Sequence, residues 1–202
     1  MTILLHICCG PCTTYPLKVL RGDGHEVRGY FFNPNIHPYR EFKARLAAVT
    51  ALAEQSGLAV DYQREYGLTE YLRQVVFHEQ HRCGRCYAMR LAATVEHAKA
   101  IGATAFSTTL LYSRYQKHEL ICRIAEELAR RHDLPFLYRD FRTGWQEGID
   151  AAVAMGLYRQ AYCGCIYSEQ ERYDQQWRRQ QKTAKQNPPT DWPDITSCLA
   201  EP

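Results

Sequence analysis

Seven of the nine cysteines fall in three tight groups, and any fold this chain adopts has to make sense of them. The first group is Cys8, Cys9 and Cys12, the second Cys83 and Cys86, the third Cys163 and Cys165. The first follows the apolar run Ile3-Leu4-Leu5 and precedes a segment with helical patterning, which puts it on a strand-to-helix turn. Three thiols within five residues are a poor choice for packing and a good one for a soft metal ion or cluster. Close spacing in a chain without a secretory signal points to metal binding rather than disulfides. The chain is therefore read as a scaffold that brings three distant segments to one point. Cys122 lies in a helical pattern and reads as a small buried hydrophobe. Cys198 lies in a polar tail and is expected to take no part.

The rest of the composition is ordinary for a globular protein: 202 residues, 46% hydrophobic and 23% charged. That length suffices for one substantial domain plus an extension. A formal net charge of +3 permits a nucleic-acid partner without demanding one. No apolar run approaches the ~20 residues of a membrane-spanning helix. The N-terminus lacks the basic region of a signal peptide. The expectation is a cytoplasmic protein with no membrane partner.

Short apolar runs alternate with amphipathic segments. Strands are predicted at 3–7, 27–32, 58–62, 104–109 and 136–138, and helices at 14–20, 41–55, 69–77, 87–100, 118–131 and 149–155. Such alternation predicts an α/β fold, a mostly parallel sheet with helices on both faces. Ligands then bind beyond the carboxyl ends of the strands. The first cysteine group, the loop from Asn33 to Tyr39 and the segment from Thr108 to Tyr115 all fall at such ends. From residue 169 the composition changes. Between 171 and 187 five basic residues (Arg172, Arg178, Arg179, Lys182, Lys185) face two acidic ones (Glu171, Asp174). Residues 1–168 are expected to form the metal-binding catalytic domain. Residues 169–202 are expected to be a basic tail, helical at first and loose from Asn187-Pro188-Pro189.

Spacing alone leaves three chemistries open. Cys83-Gly84-Arg85-Cys86 is half of a zinc site, but neither other group has zinc-ribbon spacing, and seven thiols exceed the four that one tetrahedral zinc needs. An iron–sulfur cluster takes four of them. A thiol redox relay is the third option.

Taken in order, a larger set of motifs resembles one family. They are His6 with Cys8-Cys9 and Pro11-Cys12, the loop Asn33-Pro34-Asn35-Ile36-His37-Pro38, Cys83 and Cys86 followed by Met89-Arg90-Leu91, Thr108-Thr109-Leu110, and Tyr158-Arg159-Gln160 leading to Tyr162-Cys163-Gly164-Cys165. Together, from about residue 3 to 168, they resemble the QueH-type epoxyqueuosine reductases. The resemblance implies an adenine-nucleotide-alpha-hydrolase-like (HUP) fold. ATP-using relatives of that fold carry a Gly/Ser-rich phosphate loop where this chain has Cys8-Cys9-Gly10-Pro11-Cys12, so no use of ATP is implied. The implied reaction is the last step of queuosine synthesis, in which the epoxide of epoxyqueuosine at the tRNA wobble position becomes an alkene. It implies iron–sulfur chemistry without cobalamin, with a four-iron four-sulfur (4Fe-4S) cluster, an additional iron allowed by the spare thiols, tRNA as substrate and a separate electron donor.

Cys83, Cys86, Cys163 and Cys165 are then expected to supply most of the cluster ligands. Cys8, Cys9 and Cys12 either hold a substrate-facing iron or complete the cluster. Asp140, at the end of a predicted strand, is the candidate proton donor, since a carboxyl in a dry pocket has a raised pKa; His6 and His37 are further candidates. Substrate contacts are expected from Asn33, Asn35, His37, Tyr39, Thr108, Tyr112, Tyr115, Lys117, Arg159 and Tyr162. Among them, Tyr39, Tyr112, Tyr115 and Tyr162 are candidate base stackers. Arg40, Arg85, Arg114, Lys117, Arg159 and the basic 172–185 stretch are candidate phosphate contacts. The competing readings are a zinc-stabilised RNA-binding module without redox activity and an ATP-dependent tRNA-modifying enzyme.

Overall fold

The computed structural model describes residues 1–184, with side chains to Arg179. Four parallel strands form one sheet: β1 (Thr2–His6), β2 (Glu26–Phe31), β3 (Val60–Tyr62) and β4 (Ala105–Thr108), in the order β3-β2-β1-β4. β1 is central, pairing Leu5 with Gly29 on one side and Ser107 on the other. Ile3, Leu4 and Leu5 are completely buried, as a strand covered on both faces requires. The helices are α1 (Thr14–Gly22), α2 (Tyr39–Ser56), α3 (Leu68–Val75), α4 (Arg82–Ala100), α5 (His118–His132), α6 (Trp145–Ala154), α7 (Ile166–Tyr173) and α8 (Gln175–Ala184).

The chain runs outward from β1 to β3, then returns across the sheet to β4 on the far side of β1. Right-handed crossovers therefore place α1 and α2 on one face and α4 and α5 on the other. In keeping with this, α1 packs on α6, and α4 packs on α5 and α3. The direction of winding reverses between β1 and β4, so their carboxyl ends form the crevice where α/β proteins bind ligands. The turn carrying Cys8, Cys9 and Cys12 leaves β1 at that crevice.

The α/β prediction holds, with four local corrections. The 136–138 segment is a single bridge, Phe136 to Phe106, rather than a strand; Leu137 N donates to Phe106 O and Phe106 N to Pro135 O. Cys83 and Cys86 do not precede α4 but lie within its first two turns. α6 begins at Trp145 rather than 149. A helix, α7, runs across the boundary expected at 168/169, and α8 continues the expected helical start of the tail. The expectations for Cys198 and for a loose tail from residue 187 fall outside the described residues. No helix among the described residues is long and apolar enough to cross a membrane.

Candidate metal centre

The turn after β1 is tight because Gly10 backs onto α2. A Cβ on Gly10 would stand 2.7 Å from the Ala48 carbonyl oxygen. The turn is pinned at both ends. Thr109 Oγ1 accepts from Cys8 N at 3.0 Å, and Thr13 Oγ1 donates to Cys9 O at 2.8 Å. As a result the sulfurs of Cys8, Cys9 and Cys12 all lie within 4.8 Å of one another, the one such group of metal-ligating side chains among the described residues. Gln160 Nε2 reaches them from the opposite loop, 2.8 Å from Cys9 Sγ and 3.6 Å from Cys12 Sγ.

The three thiols do not ionise alike. Hydrogen bonds from Cys12 and Cys9 hold the Cys8 pKa well below the usual thiol range. Cys12 is pushed up because its proton serves Cys8, and Cys9 is pushed up by burial. The group thus holds its first negative charge readily and keeps two protons, which a bound cation displaces.

The second set is assembled from two segments. Cys83 and Cys86 are three residues apart on α4 and share a face. Cys165 is the N-cap of α7, its sulfur accepting from Ser168 N at 3.3 Å, and it packs with Cys86, Tyr71 and Val75. Cys163 is exposed and accepts from Gln116 Nε2 at 3.4 Å. Burial is the main reason that Cys83 is pushed up to about 11 and Cys86 up to about 12; the charges of Lys117 and Arg82 oppose it at Cys83 and that of Arg90 at Cys86. The cysteine groups thus sit at the starts of three helices: just before α1, in the first turns of α4 and at the cap of α7. Helix N-termini favour thiolate.

Two buried arginines, neither assigned a role in the sequence, organise the floor. Arg45 of α2 is 2% exposed and pairs with Glu41 at 2.7 Å. Its other two nitrogens donate to the Tyr162 and Cys163 carbonyls, each at 2.8 Å, and so clamp the third cysteine segment. Gly164 completes that clamp. Its φ of +128° excludes other residues, and His37 N donates to its carbonyl at 2.8 Å. Arg90 of α4 is also 2% exposed and, among the described residues, has no carboxylate partner. It donates to Asn33 Oδ1 at 2.7 Å, to His6 Nε2 at 3.4 Å and to Cys86 Sγ at 3.7 Å. A buried guanidinium without a carboxylate calls for an anion nearby. Thiolates around a metal supply one, and by this test the residues present fit a thiolate-ligated metal.

Above the floor lies a cavity of about 640 Å³, whose lining includes Cys8, Cys12, Cys163, Arg90, Gln160 and Trp145. Of the ten expected substrate contacts, Tyr112, Tyr115, Arg159 and Tyr162 line it. Asn33, Asn35, His37 and Thr108 are buried behind the wall. Asn33 Nδ2 donates to Ile7 O, and Thr108 Oγ1 holds His6 Nδ1 at 2.9 Å. Tyr39 is 54% exposed and sits edge-on to Tyr66, away from the cavity. Lys117 is exposed and acts on Cys83 through its charge. Of the expected phosphate contacts, Arg40 and Arg85 do not line the cavity, while Arg114 lies over the Trp145 ring.

Asp140 differs from expectation. It makes a two-pronged pair with Arg142, at 2.8 and 2.6 Å, which lowers its pKa to about 2. A carboxylate held ionised in this way is not a proton donor at neutral pH. His6 is also unsuited: burial, with the Arg90 charge, lowers its pKa to about 3. His37, lowered to about 4 by burial, is likewise neutral. Arg45 carried a readable signal, standing among the apolar Phe42, Leu46 and Val49, which recur at helical spacing and are buried on α2. Gln160 stood in the Tyr158-Arg159-Gln160 motif without an assigned role, and Trp145 carried no signal beyond its residue type.

The sequence profile of the family described as epoxyqueuosine reductase QueH matches residues 3–171. The chain belongs to that family. A relative named epoxyqueuosine reductase QueH from Dehalococcoides mccartyi is 38% identical over 171 residues, covering 85% of this chain and 94% of that protein. One from Thermotoga maritima is 33% identical over 181 residues, covering 85% and 92%. Another, from Streptococcus pyogenes, is 30% identical over 179 residues, covering 83% and 70%. The QueH match ends inside α7, so all three cysteine groups, Arg45, Arg90 and Trp145 lie within it while α8 does not.

Proposed function

We propose that this chain reduces epoxyqueuosine to queuosine at the wobble position of tRNA. The epoxide takes two electrons and two protons, both C–O bonds to the oxygen break, an alkene forms and water leaves. Membership of the QueH family and a cavity floored by thiols support this reading. The observation that carries it is the buried Arg90 beside Cys86, a fixed positive charge with no carboxylate partner among the described residues, set at the floor of a cavity large enough for a nucleoside.

Cys83, Cys86, Cys163 and Cys165 supply most of the ligands of an iron–sulfur cluster of the 4Fe-4S type. Cys8, Cys9 and Cys12 complete it or hold a further iron. When bound, such a centre supplies electrons singly and, at an open iron position, Lewis acidity toward the epoxide oxygen. The protein's own residues set the conditions. Arg90 and Arg45 balance thiolate charge, Gln160 orients Cys9 and Cys12, and Tyr162 and Tyr112 wall the cavity. Electrons come from a separate donor. Neither cobalamin nor ATP is required in this scheme, and the parallel sheet with its β1/β4 switch point supports the HUP assignment.

The test is iron, acid-labile sulfide and the visible spectrum of protein purified without oxygen, followed by turnover of epoxyqueuosine-containing tRNA. About four irons with matching sulfide, bleached by dithionite, is the expected result. Iron in excess of sulfide assigns the spare thiols to a further metal. A colourless protein holding about one zinc after anaerobic reconstitution sinks the reductase reading.

A further inference from the structure

The cavity lining has two unlike parts. One is aromatic. Trp145, at the start of α6, stacks on Tyr112 with ring centroids 5.1 Å apart and planes at 27°. Tyr112 Oη donates to the Trp145 carbonyl at 2.8 Å, which locks the pair. Tyr115 meets Trp145 edge-on at 5.7 Å and is 85% exposed. A large ring left in water beside a stacked pair serves no packing purpose and marks a contact surface.

The other part of the lining is basic: Arg159, Arg172 and Arg178 belong to it, with Arg159 near enough to Tyr112 for its charge to act there. Among the described residues none of the three makes a side-chain hydrogen bond or ion pair. Glu171 also lines the cavity, but it is engaged by Arg82. Arg172 and Arg178 lie beyond residue 171, outside the family match. Uncompensated guanidiniums facing a cavity suit phosphate oxygens.

We infer that the two parts of the lining divide the grip on one RNA strand. Bases flanking the one delivered to the thiols stack on the exposed Tyr115, which Trp145 backs edge-on; the Trp145 ring itself already carries Tyr112 and Arg114. Phosphates of the same strand run along Arg159, Arg172 and Arg178, so α7 and α8 act as a phosphate rail. Stacking is sequence-tolerant and insensitive to salt, whereas phosphate contacts release counterions. This inference rests on the tRNA reading above.

The test is equilibrium binding of an anticodon stem–loop RNA to the full chain, purified anaerobically, over about 50 to 200 mM salt. The expected result is a double variant, Arg172→Gln with Arg178→Gln, whose log–log salt slope is shallower by about 1.4, roughly 0.7 for each lost phosphate. Tyr115→Ala and Trp145→Ala weaken binding about 5- to 150-fold at every salt concentration with the slope unchanged. Trp145→Phe restores most of the loss, and the exposed Tyr115 provides a variant that leaves the fold intact. An unchanged slope in the arginine variant, or a changed slope in Tyr115→Ala, overturns the division of labour while RNA binding by the wild type stands. Competition by guanosine monophosphate as strong, per molecule, as by the stem–loop makes the site one for a mononucleotide and overturns the rail. A wild type that binds iron and sulfide but no RNA overturns the tRNA reading itself.

Discussion

The two cysteine regions are built in opposite ways. Cys8, Cys9 and Cys12 come from one five-residue turn, fixed by Gly10 against α2 and by Thr13 and Thr109, and their sulfurs are gathered by local geometry. Cys83, Cys86, Cys163 and Cys165 come from a helix and a distant irregular loop, held together by Arg45, Gly164 and the His37 backbone. The first site is a property of a turn, and the second a property of the finished tertiary structure. Local perturbations should separate them.

The largest effect is expected from the ligands themselves. Cys86→Ala and Cys8→Ala both abolish turnover while circular dichroism stays native. Under the proposed split, Cys86→Ala loses iron and acid-labile sulfide together, whereas Cys8→Ala keeps its sulfide. Equal sulfide loss from both merges the two regions into one ligand set.

Next comes Arg45→Met. It leaves Glu41 buried without its partner and releases two loop carbonyls, at a cost of about 3–5 kcal/mol. In the apoprotein, alkylation followed by mass spectrometry should show Cys165 reacting much faster, while Cys9, which loses a charge that lowers its pKa, reacts no faster. Uniform labelling of all seven thiols would count against the Arg45 clamp. The reciprocal change is Gly10→Ala, whose Cβ meets the Ala48 carbonyl. A cost of about 1–3 kcal/mol is expected, with faster labelling confined to the first turn.

The smallest effect is on pH dependence. His37 titrates near 4 in the folded chain and near 6.5 when free of the fold, so the unfolded chain takes up this proton first as pH falls. Its contribution to stability is therefore complete above about pH 6.5 and declines toward pH 4, by on the order of 2 kcal/mol. Urea midpoints of wild type and His37→Gln, compared from pH 7 to 4.5, should converge toward acid. Parallel curves remove His37 as the acid-sensitive tie on the Gly164 loop.

Much of this was legible in the sequence. A continuous apolar run placed β1, and period-3.6 patterning placed α2 and α5, within a few residues, because β1 is buried on both faces and each helix buries one. The segment at 136–138 was not, since Phe136-Leu137-Tyr138 has strand composition but only one bridge to β4. Composition does not reveal how many partners a segment finds. The cysteines announced the site because thiols in tight groups have few other uses. Asp140 misled because its neighbour Arg142 decides its ionisation, and only coordinates show that the two side chains meet. Arg90 stood in a recognised motif, yet its role depends on its surroundings, which among the described residues offer it Asn33, His6 and Cys86 and no carboxylate.

The distance along the chain between the two ends of the centre has a further consequence for how the protein is made. During synthesis Cys8, Cys9 and Cys12 leave the ribosome before the other two groups, and Cys163 and Cys165 follow about 150 residues later, roughly 8–30 s at ordinary elongation rates. Throughout that interval three clustered thiols exist without the loop that carries Gln160 and without the covering wall of the cavity. The nascent turn is thus the part of the protein most open to oxidation or to capture of a wrong metal, and the C-terminal loop, arriving last, closes the vessel.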